Sequence, residues 1–204
     1  MTELVLLRHG ETVGQSSIRL YGATDIALSP VGEQQVARAA AALAPRRFTR
    51  VLTSPLQRAR RSAEIVRAAL DPAPPLELVA DFREIDFGAW EGWTYAEAEA
   101  RDPDGYRRWH HEGTAFTYPG GESRADFHAR VAAAARALAP GDLVVVHKGV
   151  IRTLLAALTA QTPADLAALP IALGSIHRLR RAATDWQIVA TGETAHLGDL
   201  DLGG

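Results

Sequence analysis

The sequence predicts one three-layer α/β/α domain over residues 1–204 with a mostly parallel central sheet, and three observations predict it. The aliphatic runs Leu4-Val5-Leu6-Leu7, Val51-Leu52 and Leu143-Val144-Val145-Val146 are short and uninterrupted, as strands buried on both faces are. Helical stretches follow them, so the strands are joined by crossovers. A chain of 204 residues is long enough for one sizeable core and demands no second domain.

Taken in order, the first strand ends at Arg8-His9-Gly10-Glu11-Thr12, where an open α/β sheet binds ligands beyond the carboxyl ends of its strands. Imidazole is a nucleophile and guanidinium binds phosphate oxygens in pairs, so adjacent Arg8 and His9 suit phosphoryl capture. The same tripeptide also fits a strand end with a charged cap and a turn glycine. Ser29-Pro30 with Glu33 starts a helix that runs to about Leu43, with serine as cap and proline in the first turn. After the strand at Val51-Leu52, Ser54-Pro55 repeats that signal for a helix ending near Leu70. The proline-rich 71–75 segment then puts Leu76 to Val79 at the sheet margin. Residues 93–121 read as an insertion of one or two short helices and a loop over the sheet. Ser123 to Leu138 is an alanine-rich helix, Leu143 to Val146 a central strand and Gly149 to Leu158 a helix, which puts His147 at a strand-to-helix junction. Ile176 to Arg180 and Gln187 to Ala190 complete the sheet. The tail from His196 to Gly204 is rich in glycine and aspartate and reads as loosely ordered.

Composition narrows the function. With 22 Lys and Arg against 24 Asp and Glu the net charge is −2, which argues against an obligate nucleic-acid partner. The absence of cysteine excludes disulfides, thiolate metal sites and a cysteine nucleophile, and is compatible with the cytoplasm. The four-residue aliphatic run before Arg8 is too short for a secretory signal, and no later stretch is long enough to span a bilayer, so no membrane partner is expected. Lys148 is the only lysine.

Tyr21-Gly22-Ala23-Thr24-Asp25, Thr53-Ser54-Pro55-Leu56-Gln57-Arg58-Ala59, Arg83-Glu84-Ile85-Asp86-Phe87-Gly88 through Glu91-Gly92, Pro119-Gly120-Gly121-Glu122-Ser123 and Val144-Val145-Val146-His147-Lys148-Gly149 add to the first motif. In this order and spacing, over residues 3 to 158, the set resembles the phosphoglycerate-mutase-like branch of the histidine phosphatase superfamily. The resemblance implies a phosphoglycerate-mutase-like fold and a metal-independent phosphomonoester hydrolase that needs no cofactor. It makes His9 the nucleophile that is transiently phosphorylated, with its other ring nitrogen donating to a backbone carbonyl near Gly10. It places Arg8, Arg58 and His147 around the phosphate, and Glu84 as the acid that protonates the leaving oxygen, with Asp86 and Glu91 as rivals. With such an acid, activity falls on the alkaline side.

Two positions depart from the family pattern. Gln15 stands where many relatives have Asn, and its amide can donate the same phosphate hydrogen bond from one methylene further out. Lys148 replaces a glycine. Either it binds a second anionic group of the substrate at the pocket mouth, or its side chain points to solvent and only its amide matters. The aromatic and basic mix of Trp93 to Tyr118 either walls the pocket for the organic part of an ester or packs the insertion onto its own sheet. His110-His111 has no partner at metal-ligand spacing, so no metal is expected. The partner is thus a small-molecule phosphate ester. The insertion is modest beside that of dedicated mutases, which favours hydrolysis over a phosphoglycerate-type mutase; a non-catalytic phosphate-ester-binding protein is the reading from another class. A homodimer through the edge at Gln187 to Ala190 is possible, and an ordinary sheet position explains that strand as well.

Overall fold

Strands β1 (Glu3–Arg8), β2 (Arg50–Thr53), β3 (Leu76–Leu78), β4 (Asp142–Val146), β5 (Ile176–Ala182) and β6 (Asp185–Glu193) form a six-stranded sheet in the order β3-β2-β4-β1-β5-β6. The computed structural model describes residues 3–159, 161–162, 165–183 and 185–200. β3, β2, β4 and β1 pair in parallel, whereas β5 is antiparallel to both β1 and β6. Only β5 therefore runs against the rest, and the sheet is mostly parallel as expected. Two residues separate β5 from β6, too few for a crossover, so this pair closes as a hairpin.

Alternation along the central strands makes the layers. Leu4, Leu6, Val144 and Val146 face one side and pack with Phe127 and Val131 of α5 (Arg124–Ala135) and with Val150, Ile151 and Leu154 of α6 (Lys148–Leu158). Val5, Leu7, Leu143 and Val145 face the other side, against Val36 and Leu43 of α1 (Pro30–Leu43) and Ala63 and Val66 of α2 (Gln57–Ala68). The inserted residues form α3 (Tyr95–Arg101), α4 (Pro103–His111) and a 3-10 turn at Gly113–Ala115. A capping box of Thr94 and Glu97 starts α3, and Asp102 caps α4 above its proline. Trp90, Tyr106, Phe116 and Tyr118 pack edge to face or tilted beneath them, so much of the aromatic mix is the insertion's own core.

Two expectations need correcting. Ser54-Pro55 does not start α2: Ser54 Oγ accepts from Leu56 N, and the helix begins at Gln57. Its cap comes from far away, as Asp25 Oδ1 accepts from Gln57 N at 2.7 Å. The tail is also better anchored than its composition suggests. Leu197 is buried, Arg38 donates to its carbonyl and pairs with Asp199, and His196 Nε2 donates to Gly174 O. The remainder of that expectation, residues 201–204, lies outside the described residues.

Leu154 is fully buried and Leu78, on the edge strand, is 55% exposed. Leu154→Ala is expected to cost about 2–5 kcal/mol in urea unfolding, and Leu78→Ala within roughly 0.5 kcal/mol. Equal losses at the two positions would contradict this placement of the core.

Candidate active site

β1, β4 and β2 are neighbours and parallel, so their carboxyl ends open on one crevice. The chain leaves β1 toward β2 and leaves β4 toward β5, on opposite sides, which makes this crevice the switch point of the sheet. β1 delivers Arg8 and His9, β4 delivers His147, and the turn after β2 delivers Arg58 at the second residue of α2. All four are at least 95% buried, and the His9 and His147 rings lie 5.1 Å apart at 64°.

The His9 ring is fixed from behind. Its Nδ1 lies 2.7 Å from Gly10 O; a carbonyl only accepts, so Nδ1 carries the proton and Nε2 keeps its lone pair. This loop crosses α1 with no room for a side chain: a Cβ on Gly10 would meet Gly32 O at 2.2 Å, and one on Gly32 would meet Glu11 O at 1.9 Å. Glu11 N donates to Gln35 Oε1 and Gly174 N to His9 O, so the turn is held on both sides.

The arginines are held by carbonyls. Arg8 Nη1 donates to Ile171 O at 2.7 Å, and Arg58 donates to Tyr21 O, Gly22 O and Thr24 O. Arg8 Nε, Arg58 Nε and both nitrogens of His147 remain buried without a hydrogen-bond partner. Burial pulls Arg8 down to about 10 and lowers Arg58, and both stay cationic near neutrality. Burial, then the charges of Arg58 and Arg8, hold His9 well below the ordinary histidine value; His147 is lowered for the same reasons, with His9 adding to the effect. Both imidazoles are therefore neutral at pH 7.

Among the three carboxylates the resemblance left in play, Glu84 is the one on the cavity. It is 8% exposed; Oε2 accepts from Gly149 N at 2.8 Å and Oε1 from Ile85 N at 3.0 Å. A Cβ on Gly149 would sit 2.4 Å from Glu84 Oε1, so this glycine admits the carboxylate to the first turn of α6. Asp86 instead accepts from Gly88 N inside a turn. Glu91 accepts from Gly22, Ala23, Thr24 and Phe87 N and so holds the loop that in turn holds Arg58.

Arg8, His9 and Glu84 lie at the base of a cavity of about 780 Å³. Its upper wall includes Tyr95, Trp109 and Tyr118 of the insertion, so that segment both packs on itself and lines the cavity. Gln15, like Arg58 and His147, is not among its lining residues. Gln15 is exposed, in a left-handed turn at φ 62°, and Ser16 and Ser17 line the cavity in its place. Lys148 is half-buried on the cavity wall rather than turned to solvent; burial, then Arg8 and Arg152, lower its pKa. Arg124, Arg152 and His128 share the wall, and no motif pointed to them. Lys148, Arg124 and Arg152 form no ion pair with a carboxylate among the described residues, which leaves the upper cavity cationic.

Chemically the crevice offers a neutral imidazole with a free lone pair, buried guanidinium nitrogens and a second neutral imidazole without protein partners, and one carboxyl group, beside a cationic cavity. Fold and site define an α/β protein with buried arginine and histidine side chains gathered at the switch point of its sheet. The chain belongs to branch 1 of the histidine phosphatase superfamily, whose family model matches residues 4–194. It is 31% identical over 207 residues to Phosphoglycerate mutase-like protein 4 of Arabidopsis thaliana, covering 96% of this chain and 86% of that one. Over 179 residues it is 31% identical to a glucosyl-3-phosphoglycerate phosphatase of Mycobacterium tuberculosis, 81% of this chain and 79% of that protein. The structure of a mycobacterial glucosyl-3-phosphoglycerate phosphatase is similar at a TM-score of 0.80 and 27% identity, over 94% of this chain and 98% of the other. A putative alpha-ribazole-5'-P phosphatase of Escherichia coli has a TM-score of 0.86 at 24% identity, over 95% and 97% of the two chains, a likeness of fold. Mycobacterial sequences, one named a bifunctional protein, are 47% identical over 131 residues. That match covers 64% of this chain, which spans about a third (35%) of the length of those relatives. Among the described residues no helix is long and apolar enough to cross a membrane.

The buried imidazoles make stability depend on pH. His177, fully buried with Nδ1 accepting from Gly192 N, is lowered to about 4 by burial, and His9 and His147 are lowered too. Unfolded, each binds a proton near pH 6.5; folded, it does not until lower pH, so the unfolded chain holds more protons in between. Stability is expected to fall on acidification from pH 6.5 toward 4, by up to about 1.4 kcal/mol per pH unit for each histidine. Urea unfolding at stepped pH checks this: His177→Gln should flatten the slope, and a flat wild-type profile would rule the account out.

Proposed function

We propose that the protein is a metal-independent phosphomonoester hydrolase working through a covalent phosphohistidine on a small phosphorylated metabolite. One observation carries the reading: buried nitrogens of Arg8, Arg58 and His147 have no protein partner, the His147 ring lies 5.1 Å from that of His9, and the Arg58 and Arg8 charges act on His9. Buried donors and charges are costly unless paired, so these groups suit an acceptor-rich anion. A phosphoryl group, with three equatorial oxygens, meets that requirement. The names of the relatives point the same way.

In this reading His9 Nε2 attacks phosphorus, the ester P–O bond breaks, and Glu84 gives its proton to the leaving alkoxide. The arginines and His147 hold the equatorial oxygens while charge shifts among them. Water then attacks the phosphohistidine, Glu84 takes back a proton, the P–N bond breaks and phosphate leaves with His9 restored. Two guanidiniums supply the positive charge, so chelators are expected to leave the rate unchanged. Lys148 binds a second anionic group of the substrate, as its place on the cavity wall without a carboxylate partner favours.

Acid-quench trapping with labelled 3-phosphoglycerate, sugar phosphates, nucleotides and α-ribazole phosphate tests the mechanism. An acid-labile, base-stable protein label is expected in the wild type and none in His9→Ala. Glu84→Gln should lower turnover of alkyl esters roughly 10²- to 10⁴-fold. Label that passes to a second alcohol rather than to water would make the protein a mutase, and bound ester without label a binder.

Lys148→Met tests the substrate assignment. The ratio of kcat/KM for 3-phosphoglycerate to that for phenyl phosphate, which lacks a second anion, should fall about tenfold or more. An unchanged ratio would remove Lys148 from the substrate site.

A further inference from the structure

His128, on α5, lines the same cavity as His9, and no step of the proposed reaction uses it. Its Nδ1 lies 2.9 Å from Thr153 Oγ1, and that hydroxyl lies 3.0 Å from Gly149 O. A carbonyl has no proton to give and threonine has one, so Thr153 donates to Gly149 O and accepts from His128 Nδ1–H. The neutral ring is then the Nδ1-protonated tautomer, and Nε2 carries a lone pair. Among the described residues nothing donates to Nε2, and it is not among the sealed, partnerless nitrogens. Burial and the nearby Arg124 and Arg152 charges lower the pKa of the ring, which keeps that lone pair free at neutral pH. The residues above the floor of the cavity thus present cationic donors and one imidazole acceptor.

We propose that His128 Nε2 is a specificity-determining acceptor for a hydroxyl group on the alcohol part of the substrate, so that the cavity selects phosphate esters of polyhydroxy compounds over those of simple alcohols. The proposal rests on the reading of the cavity as a phosphate-ester site. The acceptor is tied to the acid: Gly149 N donates to Glu84 and Gly149 O accepts from Thr153, so one peptide turn sets Glu84 and His128 relative to each other. A leaving oxygen at Glu84 and a hydroxyl further along the same carbon chain can be read together. A purely structural role, bridging α5 to α6, would affect every substrate alike.

The test compares glycerol 1-phosphate with propyl phosphate, which differ in hydroxyl groups alone, by kcat/KM in the wild type and by calorimetric Kd in a His9→Ala background. The preference for glycerol 1-phosphate is expected to fall roughly 3- to 10-fold in His128→Leu. His128→Gln, which can place an acceptor oxygen near the lost Nε2, should restore part of it. A preference that survives His128→Leu, even with lower activity on both esters, overturns the proposal. Equal hydrolysis of the two esters by the wild type also overturns it and leaves the phosphatase reading standing. Binding with the expected preference but without hydrolysis would do the reverse, and binding of neither ester would end both.

Discussion

Two guanidiniums and two imidazoles are kept out of water beside a single carboxylate, and the backbone around the crevice is arranged to make that possible. The loop at Tyr21 to Thr24 shows how. The Tyr21–Gly22 and Gly22–Ala23 peptides each turn their C=O to Arg58 and their N–H to Glu91, so both dipoles lie in line between a cation and an anion. Glu91 thereby steadies the charge of Arg58 across a layer of backbone, without an ion pair that would neutralise it. A carboxylate placed directly on Arg58 would compete with an incoming anion; one placed behind the peptides does not.

The same crowding explains the glycines that thread the motifs. A Cβ on Gly22 would sit 1.7 Å from Ile85 O, which joins the Arg58 loop to the Glu84 segment backbone to backbone. Arg130 fixes that segment from the other side, donating to Asp81, Arg83 and Glu84 carbonyls while pairing with Glu122 at 2.7 Å. The position of Glu84 is thus set by main chain, by an arginine of α5 and by Gly149 just beyond the strand end that sets His147. These supports converge on one crevice, and at Gly10, Gly22 and Gly149 they use contacts too close for any larger residue.

Much of this was legible in the sequence where the signal is local. The buried strands announced themselves as aliphatic runs, and Ser29 caps the helix it was expected to cap. What failed had a distant cause. Ser54-Pro55 carries the local marks of a helix start, yet α2 waits for Asp25, and no window of sequence around residue 54 contains that residue. Gln15 matched a family position by count, but a left-handed turn there swings it outward and leaves Ser16 and Ser17 on the cavity. Glu84, Asp86 and Glu91 are chemically alike within eight residues of sequence. They were separated only when their amide partners were seen. Arg124, Arg152 and His128 had no motif to mark them, since their place on the cavity comes from the packing of α5 on α6.

That packing gives the first turn of α6 a wider part in the site than its length suggests. His147 precedes the helix, Lys148 opens it, and Gly149 receives Glu84 at its N–H and Thr153 at its carbonyl. The buried residues Ile151, Leu154 and Leu155 pack the same helix into the core with Phe127 and Val131 of α5, which ties this turn to the sheet. Side chains on a loop would need ordering at each encounter, whereas these are ordered by folding. Substituting a larger residue at Gly149 would therefore move Glu84 and His128 together, because the two take their positions from opposite ends of one amino acid, and on the proposed reading it would act on proton transfer and on recognition of the alcohol at once.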